Sequence, residues 1–418
     1  MIKKYITILF GVIFLFTGCT VDKNIIRNPS DMIKLDCEIS NEVVEDNTLN
    51  TKCYINKDGT YTMYLFASPI AYYNNGYLKE IDNSIIDSDN SNYKFQNKSN
   101  DIKTYFPEDI TDGLYIKNET DEVIVKLYDN TLNFSPAVKK TYRNVYGDKV
   151  NAVKYHNKNI DLFFYPTVFG INAEFLIYNS TINQLSFDIT ANGKNQFYDF
   201  YIRYIANGTT NETGAIVHDP IVYSSNKFND TVKKDILKNK DSVILRYTFD
   251  CDKNTSFNMS FELYKKKMLD CSVYSNIEWN CFLHNYSFIG KSFLGEGYHL
   301  AKNNIHEYID IPYNNILSLK YVIKELYNNA QDSVKFYRNT KEWSSSTICW
   351  KGGNVSTEFV MEEKPDNNKN YIFDLSRILK DQLSFEHGYT LKKEKGMSII
   401  CTNDNSMYFP YYKIVYKK

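Results

Sequence analysis

The chain has 418 residues, 43% of them hydrophobic and 16% aromatic, and its 49 Lys and Arg against 50 Asp and Glu leave a formal charge of −1. That length is enough for two domains of ordinary size with substantial cores. Charges of both signs are interspersed throughout, which excludes the basic stripe of a nucleic-acid binder and the polyanionic tail of a solvating segment.

The first element opens with Lys3 and Lys4, then runs from Tyr5 to Phe16 almost without a polar side chain before Thr17 and Gly18. A charged start, an apolar run and small residues make the layout of a secretory signal. The run falls short of the ~20 apolar residues that cross a bilayer, so residues 1–18 are expected to be removed. Phe16-Thr17-Gly18-Cys19 resembles the bacterial lipobox, in which the cysteine takes a diacylglycerol before cleavage just ahead of it; Phe16 stands where Leu is usual. The resemblance implies a mature chain anchored to a membrane through acylated Cys19, with each buried methylene adding about 0.8 kcal/mol. Residues 19–55 then read as the lipidated N-terminus and a polar tether.

From 56 to 265 the dominant signal is alternation. In KDGTYTMYLF an Asp58-Gly59 turn enters a strand, and IAYYNNGYLKEI sets Asn75-Gly76 between aromatic-rich runs. Asn-Gly so flanked predicts a two-residue hairpin, because both central residues must accept positive φ. VIVKLYDNTLNF, IDLFFYPTVF, AEFLIYNSTINQLSFDI and VILRYTFDCDKNTSFNMSFELY continue the pattern between Asn, Asp, Gly and Ser clusters. Within FDCDKNTSF, Asp250, Asp252 and Asn254 offer oxygens at alternate positions, as calcium loops do. Thr255 and Phe261 occupy the places of the turn glycine and the closing Glu, which favours a hairpin turn. The N-x-S/T triplets at Asn97, Asn118, Asn207 and Asn354 read as chance in an Asn-rich bacterial chain.

Residues 266–418 form the second predicted domain. NILSLKYVIKEL fits a strand through Leu317, Leu319, Tyr321 and Ile323, or a helix through Ile316, Leu319, Ile323 and Leu326. In FDLSRILKDQL, Asp374 is placed to cap a short helix with Leu375, Ile378, Leu379 and Leu383 on one side. Trp343 and Trp350 flank a strand-like Ser/Thr run, and their odd separation sends them to opposite faces. Trp343 is assigned to the core, leaving Trp350 to stack on a ligand. Setting Cys19 aside, seven cysteines remain, with Cys37–Cys53 and Cys251–Cys271 as pairs by proximity, or all as buried thiols.

Chemistry-bearing motifs are few. Gly290-Lys291-Ser292 lacks the upstream glycine of a phosphate loop, since Asn285 stands there, and the six histidines are scattered singly. No nucleophile elbow or zinc-protease motif occurs, so neither cofactor nor metal is implied. Carboxylates are plentiful, and a converging pair for sugar hydrolysis would leave no sequence signature.

From about Leu269 to Lys418, FIGKSFLGEGYH, IDIPYNNILSLKYVIKELYNN, KEWSSSTICW, YIFDLSRILKDQ and TNDNSMYFPYYKIVY stand in an order that resembles the DNRLRE domain family of secreted prokaryotic proteins. The preceding SPIAYYNNGYLKEIDNSI, NYKFQNKSNDIKTYFPEDI and GAIVHDPIVYSSN resemble the β-rich region ahead of such domains in wall-associated and RHS-type surface proteins. The resemblance implies a C-terminal, jelly-roll-like β-sandwich of carbohydrate-binding-module type. The chain is thus expected to be mostly β, with β-rich domains at 56–265 and 266–418. A membrane-anchored, non-enzymatic binding or structural module for polysaccharide or cell wall leads; a lipid-anchored hydrolase or lyase and an architectural envelope protein are the rivals.

Overall fold

The computed structural model describes residues 25–128, 133–192, 215–224, 227–229, 232–238, 242–263, 286–292, 295–297, 299–301, 311–328, 332–342, 356–377, 387–401 and 408–418. These residues form β-strands and short 3-10 turns, without an α-helix among them, so the chain is mostly β. Alternation is the cause: in Gly170–Ile177, Ile171, Ala173, Phe175 and Ile177 enter one core while Asn172 and Glu174 point the other way.

The first lobe has two eight-stranded sheets. One runs Ile25–Ile26, Lys149–His156, Ile160–Pro166, Gly170–Ile177, Thr255–Leu263, Ala215–Ser224 and Lys227–Asn229, with Val138–Arg143 also pairing Lys149–His156. The other runs Lys233–Lys238, Val243–Thr248, Gln184–Asn192, Glu122–Leu127, Leu114–Lys117, Lys103–Phe106, Phe95–Ser99 and Asp82–Asp87. They face each other through aromatic rings, Phe187 of the second lying 5.4 Å from Phe261 and 5.8 Å from Phe175 of the first. Offset and edge contacts of this kind add about 0.5–1.5 kcal/mol beyond the area they bury.

The second lobe pairs a nine-stranded sheet with a four-stranded one of His299–Ala301, Tyr389–Lys392, Val334–Asn339 and Thr357–Glu363. Tyr389 donates to the Tyr321 hydroxyl at 2.6 Å across the layers, and Phe336 meets Phe373 at 5.2 Å. Ile316–Asn328 is a single long strand, which resolves the ambiguous segment in favour of period two. A register shift between Ile316 and Ser318 turns Leu317 outward, so it is 48% exposed while Leu319, Tyr321 and Ile323 are buried. Asp374 does cap locally, its carboxylate accepting from Ser376 N at 3.1 Å, but residues 378–386 of the expected helix lie outside the described residues.

Two expectations about organisation are corrected. The segment read as a tether is built into the fold from Ile25 onward: Ile25–Ile26 pairs in parallel with Lys149–Val150, and Asn28 is buried. A buried amide needs partners, and Asn28 donates to the Ile70 and Ile81 carbonyls, each at 2.8 Å. The boundary at 265 also fails as a sequential division. Ile39–Glu42, Thr51–Asn56 and Tyr61–Phe66 belong to the nine-stranded sheet, where Tyr61–Phe66 pairs with Tyr411–Tyr416. Cys37 and Cys53, expected as a disulfide or as buried thiols, are both free thiols, Cys53 buried but Cys37 exposed, and burial pushes the Cys53 thiol up to about 12.

The Asn75-Gly76 turn adopts φ 52° and 81° between Ala71–Asn74 and Tyr77–Glu80, as the primed hairpin requires. Gly170 has a different reason to lack a side chain: a Cβ there would lie 2.1 Å from the Phe261 carbonyl oxygen. Gly170→Ala is therefore expected to lose at least about 3 kcal/mol in a chemical denaturation curve, against about 1 kcal/mol for Gly76→Ala. A fragment of residues 266–418 lacks Tyr61–Phe66, one of the two partners of Tyr411–Tyr416; it is expected to bind an apolar dye and melt without cooperativity, where the full chain does neither.

Candidate functional site

The face of the first sheet turned away from its apolar core is polar and yet buried. Ser256, Asn258, Ser260 and Glu262 alternate with Phe257, Met259 and Phe261 along one strand, beside Asn172 and Glu174 on the next. Glu174 is fully buried, and His218 meets Glu262 at 3.2 Å with both side chains about 95% buried. Carboxylates out of water must be bonded, paired or protonated. Glu174 accepts from the Tyr142 hydroxyl at 2.5 Å and from Val145 N at 3.2 Å. Burial pushes its carboxyl up to about 7, with those hydrogen bonds pulling weakly the other way.

Val145 belongs to a turn that joins the strands Val138–Arg143 and Lys149–His156. Asn144 folds that turn, its side-chain oxygen accepting from Tyr146 N at 3.1 Å and Asp148 N at 3.0 Å. The same side chain donates to the Tyr408 hydroxyl at 2.8 Å, and Tyr408 donates to Asp148 at 2.8 Å. Lys324 of the nine-stranded sheet reaches Asp148 at 3.5 Å. The turn is thus held by Glu174 from below and by Tyr408 and Lys324 of the second lobe from beside it.

Above the turn lies a cleft of about 600 Å³ between the lobes. Arg143, Asp148 and Lys149 line it from the first lobe, Lys34 from the N-terminal segment, and Lys324, Asp366 and Tyr411 from the second. Its carboxylates are turned to structural duty. Asp31 accepts from Arg27 N at 2.8 Å and Asn28 N at 3.1 Å, closing a capping box. Asp366 accepts from Asn368 N at 2.8 Å and Asn370 N at 2.9 Å. Asp148 takes Tyr408 and Lys324, as above.

The residues singled out from sequence fall elsewhere. Cys19, Trp343 and Trp350 lie outside the described residues. Asp250, Asp252 and Asn254 form the turn before Thr255–Leu263, with Asn254 at φ 71° and the Asp252 carboxylate bonded to the Thr255 hydroxyl at 3.2 Å. No group of three His, Cys, Asp or Glu side chains converges to hold a metal among the described residues. Glu174, Asp148, Arg143 and Tyr408 carry the site without having been singled out. Glu174 did leave a signal, a lone charge inside the apolar run INAEFLI, at strand parity opposite to Ala173 and Phe175.

No family model matches the chain. It is 30% identical over 152 residues, 32% of its length, to Reticulocyte-binding protein homolog 1 of Plasmodium falciparum. It is 33% identical over 76 residues, 18% of its length, to Wall-associated protein of Geobacillus stearothermophilus. The chain spans 5% and 30% of these two relatives' lengths.

The protonation of Glu174 has a measurable sign. Its folded value lies above that of a free carboxyl, so the folded chain binds more protons than the unfolded chain between about pH 4.3 and 7. This contribution, about 3 kcal/mol, is whole below that window and is lost as pH rises through it. Glu174→Gln is expected to flatten the fall in melting temperature that the parent chain shows from about pH 5 to 8.

Proposed function

We propose that the chain is an extracytoplasmic surface protein that binds a polysaccharide of the cell envelope in the cleft between its lobes and does not turn it over. One observation carries the reading: both lobes line the cleft, while Asp31, Asp148 and Asp366 are each committed to bonds that hold the fold. Such a cleft offers hydrogen-bond donors, amides and ring edges to hydroxyl-rich ligands without an acid and base poised for bond cleavage. Similarity to a protein named wall-associated supports a surface location. Lipid attachment at Cys19, with the small residues Thr17 and Gly18 before it, supplies the anchor.

The hydrolase or lyase reading draws on the same cleft. It needs a protonated acid within reach of the ligand, and the carboxyl raised to about 7 is that of Glu174, fully buried beneath the turn.

The detergent-solubilised full chain is expected to be retained by purified cell wall or by members of a glycan panel, with no new reducing ends or unsaturated products on overnight incubation. Release of such products would replace binding by turnover; absence of retention would remove the polysaccharide reading. In cells, the parent chain is expected in the membrane fraction and Cys19→Ala in the soluble fraction, read by blotting after fractionation.

A further inference from the structure

We infer that the hairpin of Ala71–Asn74 and Tyr77–Glu80 is a second membrane contact, entering the headgroup layer tip first so that Tyr73 and Tyr77 rest in the bilayer surface. The inference rests on lipid attachment at Cys19, and goes beyond it by naming the surface of the fold that meets lipid.

Exposure is the first reason. Tyr73 is 62% and Tyr77 75% exposed, above every other aromatic side chain among the described residues. Register puts them on opposite faces: Tyr73 opposes Leu78, while Tyr77 opposes Asn74 on the face that carries Tyr72. Nearer the base, Tyr72 is buried and its hydroxyl shares a hydrogen bond with that of Ser99 at 2.8 Å, which pins the hairpin to the first lobe. Glu80 at the base is paired with Lys52 at 2.6 Å, so residues 73–79 carry a single charge, the exposed Lys79. Rings with an apolar body and a hydroxyl at the end suit the headgroup level, where one side is oily and the other wet. A lysine beside them lays its stem along the apolar surface and keeps its ammonium in water.

The second reason is where the anchored end of the chain enters the fold. From Cys19 to Ile25 the backbone takes six steps, which span at most about 22 Å in any conformation. Three residues later Asn28 closes on the hairpin's base, its amide donating to the carbonyls of Ile70 and Ile81 at 2.8 Å, while Ile81 N donates to the Ile70 carbonyl at 3.1 Å. Asn83 N donates to the Arg27 carbonyl at 3.1 Å, and the Ser30 hydroxyl to Glu80 at 2.9 Å. The hairpin therefore springs from the place where the anchored segment joins the first lobe, on the side that a lipid at Cys19 holds toward the bilayer. Other exposed apolar side chains are remote from it. Leu237 lies on Lys233–Lys238, the edge opposite Asp82–Asp87 in an eight-stranded sheet, so about 33 Å of sheet separates it from the strand that directly follows the hairpin.

The test reconstitutes the lipidated full chain into phosphatidylcholine vesicles with and without bromine on the acyl chains near the headgroups, and reads the tryptophan emission that Tyr77→Trp or Leu237→Trp adds over the parent. Bromine is expected to quench the added emission of Tyr77→Trp at least about twofold and to leave that of Leu237→Trp unchanged. Tyr73→Trp, on the other face, is expected to be quenched as well, and keeps the test decisive should Tyr77→Trp disturb the turn. Vesicle flotation separates the two ideas under test. A chain that floats while neither hairpin tryptophan is quenched would overturn the hairpin contact and leave the lipid anchor standing; a chain that does not float would overturn both. Equal quenching of Leu237→Trp would show that the fold lies on lipid without preference for the hairpin, and would overturn the assignment. A blue shift of Tyr77→Trp that needs no bromine and grows with the number of chains per vesicle would give the tyrosines to a second copy of the chain, again overturning the contact with lipid.

Discussion

A carboxyl shut away from solvent is the constraint on which the turn beneath the cleft depends. Glu174 sits in the middle of a sheet on the face turned away from the apolar core, and that face would ordinarily be wet. Closing it off leaves Glu174 reliant on Tyr142 and on Val145 N, and Val145 is part of the turn that Asn144 folds and Tyr408 grips. Unfolding that turn would strip a buried acid of its Val145 bond, and the second lobe helps hold the turn through Tyr408 and Lys324. Asp148 and Lys149 line the cleft from that turn and from the strand it opens.

Much of the fold was legible because strand parity is a local property. Asn75-Gly76, the apolar alternation of IDLFFYPTVF and the turn at Asp58-Gly59 all follow from neighbours a few residues apart. The ownership of Tyr61–Phe66 was not legible, since its partner is Tyr411–Tyr416 and no local pattern encodes which distant edge a strand will join. The same limit hid the site. Arg143 and Lys149 become opposed charges only once the hairpin register is known, and Asp148 meets Lys324 only once two sheets with separate cores are set side by side. A single charged residue in an apolar run was the one trace that sequence carried of Glu174.

The abundance of asparagine also acquires a physical account. Asn28, Asn97, Asn100 and Asn144 are all buried, each tying main chain that strands do not satisfy. Asn97 donates to the Ile102 carbonyl at 2.9 Å and accepts from Thr104 N at 3.1 Å, while Asn100 donates to the Val168 carbonyl at 3.0 Å. A carboxamide offers donors and an acceptor together with no charge to desolvate, which suits a chain with many turns packed between sheets. Asn97 heads one of the N-x-S/T triplets, and full burial of its side chain places that triplet in the interior.

The pairing of Tyr61–Phe66 with Tyr411–Tyr416 sets the timing of folding as well as its outcome. Partners such as Tyr61 and Tyr416 are separated by more than 300 residues of chain, so the nine-stranded sheet has no complete centre until the ribosome has made residue 416. Non-local pairing of this kind is slow, because a long loop must close before any contact rewards it. The chain's early strands emerge with an edge that only Tyr411–Tyr416 fills, so Tyr61–Phe66 stays open on that side until the far end of the chain arrives.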